Sequence, residues 1–433
     1  MAAATMGEIP SEFVRVKDGG FVVGPEDTEV LFVGANSYHL LMYAKEECKR
    51  PLIDQIFDTA KAAGMTVMRT WAFFDGDESC ALQHSPGCFH EEAWIGLDYV
   101  IHAAAQRGLK LILVLTNYWP DFGGLSQYLK WTKEGSSSAE EFFECEAAEA
   151  AYMKYVDSVI NRVNSFTGTM YKDDPAILAW SAINEPRCKG DLSCQKLKAF
   201  LGRVGAFIKS IDSNHLLTFD SEGFFGPSTP EFLEHNPYDT SGEGTDFCDQ
   251  FNLPGYDFAS IHMWPQNWGI SNEQEENDKF IENWIESHDQ ASREILKMPL
   301  VVSEFGTREE KPKMFKMVLQ HCSDAMVNKT RALHGVLFWH LATPEYPDYD
   351  RHNVYTCEEM QSALLALEHP IEPAEEFSGP AEVPVTYTKA PGEGETDGGS
   401  GVDHSSWHVL SMCAHFSYAV KASLTAVAEE DPA

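Results

Sequence analysis

Two glutamates stand where apolar runs stop. Ile177, Leu178 and Trp180 lead into Asn184-Glu185, and Pro186 ends the run because proline has no N–H for a sheet ladder. Leu300 to Ser303 is a second apolar run, ending in Glu304. A carboxylate at a strand end adds nothing to a core. A pair of them can break a glycosidic bond: one carboxyl protonates the leaving oxygen, while the other stays ionised and attacks the anomeric carbon or steadies its positive charge. That division of labour needs surroundings that push the two pKa values apart.

The neighbouring strand ends carry fitting partners. Arg69 and Trp71 end one apolar run, and Asn117, Tyr118 and Trp119 follow the next. His262 and Trp264 end a later run, with Trp268 close behind, and Trp339 ends the last. An Arg69 lying against Glu304 would hold that carboxylate ionised, leaving Glu185 as the acid and then the base. Asn184 can hydrogen-bond the sugar hydroxyl beside the reacting carbon. The indoles of Trp71, Trp264 and Trp339 offer apolar faces for pyranose rings.

These residues meet only if the strands are parallel and share one mouth. The chain alternates strand and helix throughout. Phe13–Val16 and Phe21–Val23 read as a hairpin across a glycine turn. Strands are expected at 30–36, 66–71, 109–115, 176–184, 215–219, 258–263, 300–303 and 336–340. Helices are expected at 51–64, 91–107, 140–163, 195–211, 275–296, 312–333 and 356–368. About eight units with strands apolar on both faces predict a (β/α)8 TIM barrel at residues 11–368, with an N-terminal hairpin. A doubly wound open sheet is the competitor, and no Gly-rich phosphate loop follows any strand to support it. Residues 369–406, rich in Pro, Glu, Gly, Thr and Ser, read as a linker. Residues 407–433 form a C-terminal extension, moderately apolar over 407–427, to be laid on the barrel as a small helix or a strand pair.

Composition narrows the partners. The 433 residues carry a formal charge of −35 and ten Trp. That charge argues against nucleic acid and anionic membranes as partners, and suits a neutral ligand. No apolar run approaches the ~20 residues that span a bilayer. Met1 to Pro10 has neither the basic start nor the apolar core of a secretory signal. Of ten Cys, Cys188 and Cys194 flank a short loop, as do Cys80 and Cys88, so a Cys188–Cys194 disulfide is expected. Neither pair has zinc-ligand spacing. Asn328-Lys329-Thr330 is a glycosylation acceptor pattern.

Taken together, the motifs resemble the endo-β-1,4-mannanases of glycoside hydrolase family five, in the branch with plant and fungal enzymes. The likeness runs from about Phe13 to Glu368. It rests on Met68-Arg69-Thr70-Trp71-Ala72-Phe73, Asn164-Ser165-Phe166-Thr167-Gly168, Tyr171-Lys172-Asp173-Asp174-Pro175 and Ile183-Asn184-Glu185-Pro186-Arg187-Cys188. Ser210-Ile211-Asp212, Ser221-Glu222-Gly223-Phe224, Ser260-Ile261-His262 and Ser303-Glu304-Phe305-Gly306 complete the set. The resemblance implies a retaining double displacement on β-mannans, with Glu185 as acid/base and Glu304 as nucleophile. It implies Arg69, Trp71, Asn184, His262 and Trp339 around the reacting sugar. It also implies a secreted monomer with no cofactor and no metal. Trp264 departs from the pattern, since many relatives place a tyrosine there whose hydroxyl reaches the nucleophile. A β-glucanase and a non-catalytic carbohydrate-binding barrel are the other functions the residues allow.

Overall fold

The computed structural model describes residues 12–136, 138–270, 274–327, 331–356 and 405–417. Eight parallel strands form the barrel: β1 (Phe32–Asn36), β2 (Val67–Trp71), β3 (Lys110–Val114), β4 (Ile177–Asn184), β5 (Leu216–Asp220), β6 (Ala259–Met263), β7 (Leu300–Phe305) and β8 (Leu333–Phe338). Every residue of all eight is buried, which is why the sequence reads as unbroken apolar runs there. Neighbours in sequence are neighbours in space, and β8 pairs with β1. The strand ladder is open only between β5 and β6. Asp257 N–H donates to Leu217 O there at 2.8 Å, Thr218 Oγ1 to Phe258 O at 2.9 Å, and Ser260 Oγ to Asp220 Oδ1 at 3.2 Å. One backbone bond and two side-chain hydroxyls thus close the barrel.

The ring around it includes α1 (Arg50–Ala62), α2 (Glu91–Gln106), α3 (Glu146–Ile160), α4 (Gln195–Ile211), α5 (Phe247–Phe251), α6 (Gln274–Ala291) and α7 (Lys311–Val327). The expected 140–163 helix is two pieces. A 3₁₀ turn at Ala139–Glu144 precedes α3, and Cys145 between them is extended. Leu333, expected to end the 312–333 helix, instead starts β8, with Asp289 Oδ1 accepting the N–H groups of Ala332 at 2.7 Å and Leu333 at 3.0 Å. Residues 405–417 are helical, and Trp407, Leu410 and Phe416 are buried in the main core. No described helix is long and apolar enough to cross a membrane. The expected helix beyond Thr356, the linker as far as residue 404 and Asn328–Thr330 lie outside the described residues, while Ser405 and Ser406, read as the linker's end, begin the helix.

The hairpin is a plug. Its strands Arg15–Lys17 and Gly20–Val23 pair antiparallel, and Thr28–Glu29 adds a third. Phe21 reaches into the barrel's amino-terminal end, edge-on to Phe258 at 5.4 Å and against Phe32 at 5.8 Å. Val67, Ile112, Leu178, Leu216, Val301 and Leu337 complete that floor. Phe21→Ala should therefore lower unfolding stability by about 3–5 kcal/mol. Because the site lies at the other end, turnover per folded molecule should be unchanged. A denaturation midpoint equal to wild type would contradict this packing.

Candidate active site

The carboxyl ends of the strands converge on Arg69, which is wholly buried in β2. A guanidinium has five N–H donors, and all five are used. Nε and Nη2 donate to Asp220 Oδ2 at 3.0 and 2.8 Å. Nη1 donates to Asn36 Oδ1 at 2.7 Å and Glu304 Oε1 at 2.6 Å, and Nη2 donates to Asn184 Oδ1 at 2.5 Å. One side chain thus ties the ends of β1, β4, β5 and β7 together. Asp220 is held in turn by the hydroxyls of Ser181 and Ser260.

Glu185 sits above this floor in a left-handed backbone conformation, with φ +46°, a region costly for a residue with a Cβ. Its own N–H donates to Asp220 O at 2.7 Å, so the same aspartate fixes the strained turn. Its carboxylate accepts Trp119 Nε1 at 2.6 Å through Oε2, and Oε1 lies 2.6 Å from His262 Nδ1. His262 Nδ1 is also 3.4 Å from Glu304 Oε2. One oxygen of each glutamate and a nitrogen of His262 lie within 4.8 Å of one another. This is the only group of three converging His, Cys, Asp or Glu donors among the described residues. Its atoms are engaged with each other, Trp119 and Arg69.

Two carboxylates this close cannot both ionise freely. Burial pushes Glu304 up to about 7, against the opposing pull of His262 and Arg69. Burial also raises Glu185, but the hydrogen bond and charge of His262, then Trp119 and Arg187, outweigh it and leave Glu185 below its ordinary value. Burial lowers His262, and the two glutamates outweigh that, so it stands above the ordinary histidine value. The sequence reading expected the reverse order, with the acid raised and the nucleophile depressed. The reason for the difference is geometric: both short donors other than Arg69 are aimed at Glu185. The two carboxyl groups are thus set apart, Glu304 above and Glu185 below the ordinary value, and His262 touches both carboxylates.

The described residues surround an open cleft of about 1290 Å³ lined by Trp71, Asn184, Glu185, Trp264, Glu304 and Trp339. Arg69 and His262 lie beneath it, fully buried, and act through the carboxylates they touch. Trp339 stacks on Tyr38 with centroids 4.9 Å apart and donates Nε1 to Asp350 at 3.2 Å. Trp71 lies 4.9 Å from the Arg69 guanidinium, a cation–π contact. Trp264 packs edge-on to Trp339 and His352. It fits because residue 306 is glycine: a Cβ there would lie 3.1 Å from the indole.

Asn36, Trp119, Asp220 and Glu222 complete the site beyond the residues expected to bind sugar. Arg187 grips Glu222 with two 2.6 Å bonds and Glu243 with one at 2.7 Å, and its guanidinium lies 5.3 Å from the Trp119 ring. Burial, then the charge of Glu185, pushes Glu222 up to about 7. The signal for Asn36 and Asp220 was present, since each is the last residue of its strand, but a polar strand end has no mark of its own until the barrel closes.

The expected Cys188–Cys194 disulfide is absent. Both are free and buried, as are Cys248, Cys322 and Cys413, and all nine described cysteines are unpaired. The Cys194 thiol instead donates to Thr245 O at 3.2 Å. Burial pushes the Cys188 and Cys194 thiols up to about 11 and about 12, which keeps them protonated.

A parallel eight-stranded barrel whose mouth holds paired carboxylates among indoles defines the class of barrel glycoside hydrolases. The chain matches the family described as GH family 5 beta-mannosidase-like over residues 11–339, and it belongs to that family. It is 41% identical over 277 residues to mannan endo-1,4-beta-mannosidase 8 of Oryza sativa subsp. japonica, covering 63% of this chain and 74% of that protein. It is 38% identical over 307 residues to mannan endo-1,4-beta-mannosidase 1 of Solanum lycopersicum, covering 70% and 76%. Among solved structures, the endo-1,4-beta-D-mannanase of Thermotoga petrophila is 30% identical with a TM-score of 0.68, covering 78% of this chain and 99% of that one. The endo-1,4-beta-mannanase of Rhizomucor miehei is 27% identical with a TM-score of 0.69, covering 82% and 97%.

The proton balance sets a pH dependence. Turnover needs one proton and one anion on the carboxyl pair, and the upper titration lies at about 7. Activity, read as kcat/KM, should therefore fall as pH rises through about 7. The same group binds its proton more tightly folded than unfolded, so its stabilising contribution is complete below the unfolded value and is lost through that pH as well. A kcat/KM that is level from about pH 6 to about pH 9 would contradict the shared proton.

Proposed function

We propose that this chain is an endo-acting retaining hydrolase of internal β-1,4 bonds in mannan, glucomannan and galactomannan. The observation that carries the reading is the approach of Glu185 and Glu304 oxygens to within 4.8 Å. That suits the roughly 5–5.5 Å carboxyl spacing of retaining enzymes and leaves no room for the water an inverting one places between its carboxyls.

In this reading the proton that Glu304 holds in the empty site passes to Glu185 by way of His262, which touches both, once sugar is bound; Glu304, oriented by Arg69, then attacks the anomeric carbon while Glu185 gives that proton to the leaving oxygen. The product is a glycosyl ester on Glu304. Glu185 then takes a proton from water, which attacks the same carbon and frees Glu304, restoring the starting configuration. Asn184, pinned by Arg69, presents its amide to the hydroxyl beside the reacting carbon. Trp339 and Trp71 give the ring an apolar face. The mannan preference draws its support from the named relatives. A carbohydrate-binding barrel without turnover would have no use for a second carboxylate fixed by a buried guanidinium. A monomer working outside the cell belongs to the same proposal and rests on the resemblance alone.

Incubation with mannohexaose should release shorter mannooligosaccharides whose new reducing ends are first formed as the β-anomer, seen by NMR. Initial rates on mannan should exceed those on cellulose-type polymers. Glu304→Ala should fold normally and lose roughly a thousandfold or more in kcat. First-formed α-anomer, or near-normal turnover by that variant, would defeat the assignment.

A further inference from the structure

Among the described residues eight large apolar side chains are exposed, and two of them, Tyr238 and Tyr349, line the cleft. Tyr349 is the more exposed, at 73%. It stands in the loop after β8, and an unbroken series of rings leads to it from the reacting centre. Trp339 stacks on Tyr38 at 4.9 Å, the Tyr346 hydroxyl donates to that of Tyr38 at 3.0 Å, and Tyr346 meets Tyr349 edge-on at 5.8 Å.

The loop is braced although its tip is exposed. Asp350 accepts Trp339 Nε1 and the N–H of His352, at 3.2 and 3.1 Å. Asp348 accepts the N–H of Asn353 at 3.3 Å, and Asn353 Nδ2 donates to Tyr346 O at 3.3 Å. Tyr349 is therefore presented on a fixed support, anchored to the same indole that lines the reacting centre. Ordering it costs little on binding. Tyr346 and Tyr349 also form one wall of a neighbouring groove of about 450 Å³, which Met42, Ser79 and Glu345 help to line. The cleft and the groove meet at this pair of rings.

Resting on the proposed function, we infer that Tyr349 is the platform of a distal sugar subsite. Its ring would stack on a mannose unit two or more rings away from the cleaved bond, on the Trp339 side, where the chain leaves the cleft toward the groove. A pyranose has an apolar C–H face and a polar rim, which matches an exposed phenol ring beside backbone and hydroxyl groups. No contact with the reacting sugar is involved, so Tyr349 acts on chain-length preference and not on the chemical step.

The experiment compares mannotetraose and mannohexaose with wild type, Tyr349→Ala and Tyr349→Phe. Tyr349→Ala should lose roughly three- to tenfold in kcat/KM on mannohexaose, through KM, and keep wild-type values on mannotetraose. Tyr349→Phe, which retains the ring, should match wild type on both. Equal losses on both oligosaccharides, or no loss on mannohexaose, would overturn the subsite while leaving the hydrolase intact. Wild-type protein that cleaves neither would overturn the proposed function, and the subsite with it.

Discussion

A single buried cation organises the mouth of this barrel. Arg69 has no exposed surface and no unused donor, and its partners arrive from four other strands or strand ends. A buried charge is tolerable only when paired and fully hydrogen-bonded, so the guanidinium dictates where Asn36, Asn184, Asp220 and Glu304 must sit. Asp220 is the counterpart that makes this possible. It takes two of the five bonds, accepts two serine hydroxyls, and through its backbone carbonyl holds the N–H of Glu185. The strained backbone at Glu185 and the buried carboxylate at Glu304 are therefore supported by one network, and moving either glutamate disturbs the other's support.

The consequence is preorganisation. Groups aimed at developing charge are most useful when they need not reorient during the reaction. Here the aiming comes from strands that are buried along their whole length, closed at the amino end by Phe21 and its neighbours. The loops beyond the strand ends add surfaces to the cleft: Trp119 and Trp264 near the carboxylates, Tyr349 farther out. Rigid chemistry below and variable recognition above is a division the fold makes easy.

Much of this was legible in the residues because strand ends announce themselves. Glu185 before Pro186, and Glu304 after Leu300–Ser303, are charges where an apolar run stops, and the barrel rule places them in one mouth. Arg69, Asn184, His262, Trp71, Trp264 and Trp339 followed by the same logic. Harder to read was which of them would line the cleft and which would lie underneath, since burial depends on neighbours far away in sequence: Arg69 and Asp220 are 151 residues apart. The order of the two carboxyl pKa values was hidden for the same reason, because Trp119 and His262 both turn toward Glu185. Cysteine spacing misled. Cys188 and Cys194 flank a loop short enough to bridge, but the Cys194 thiol turns to the carbonyl of Thr245 in another loop. The helix at 405–417 follows a stretch with turn-rich composition, and its buried side chains, Trp407, Leu410 and Phe416 among them, show that it belongs with the main core.

The roles of the two acids are decided by which carboxylate bonds to sugar. Incubation with an activated 2-deoxy-2-fluoro mannoside, whose slowed second step lets an ester accumulate, followed by digestion and peptide mass spectrometry, addresses it directly. One glycosyl unit should appear on the peptide carrying Glu304, and none on the peptide carrying Glu185. An adduct mapped to Glu185, or steady release of fluorosugar with no adduct on either glutamate, would contradict the roles assigned to the two acids.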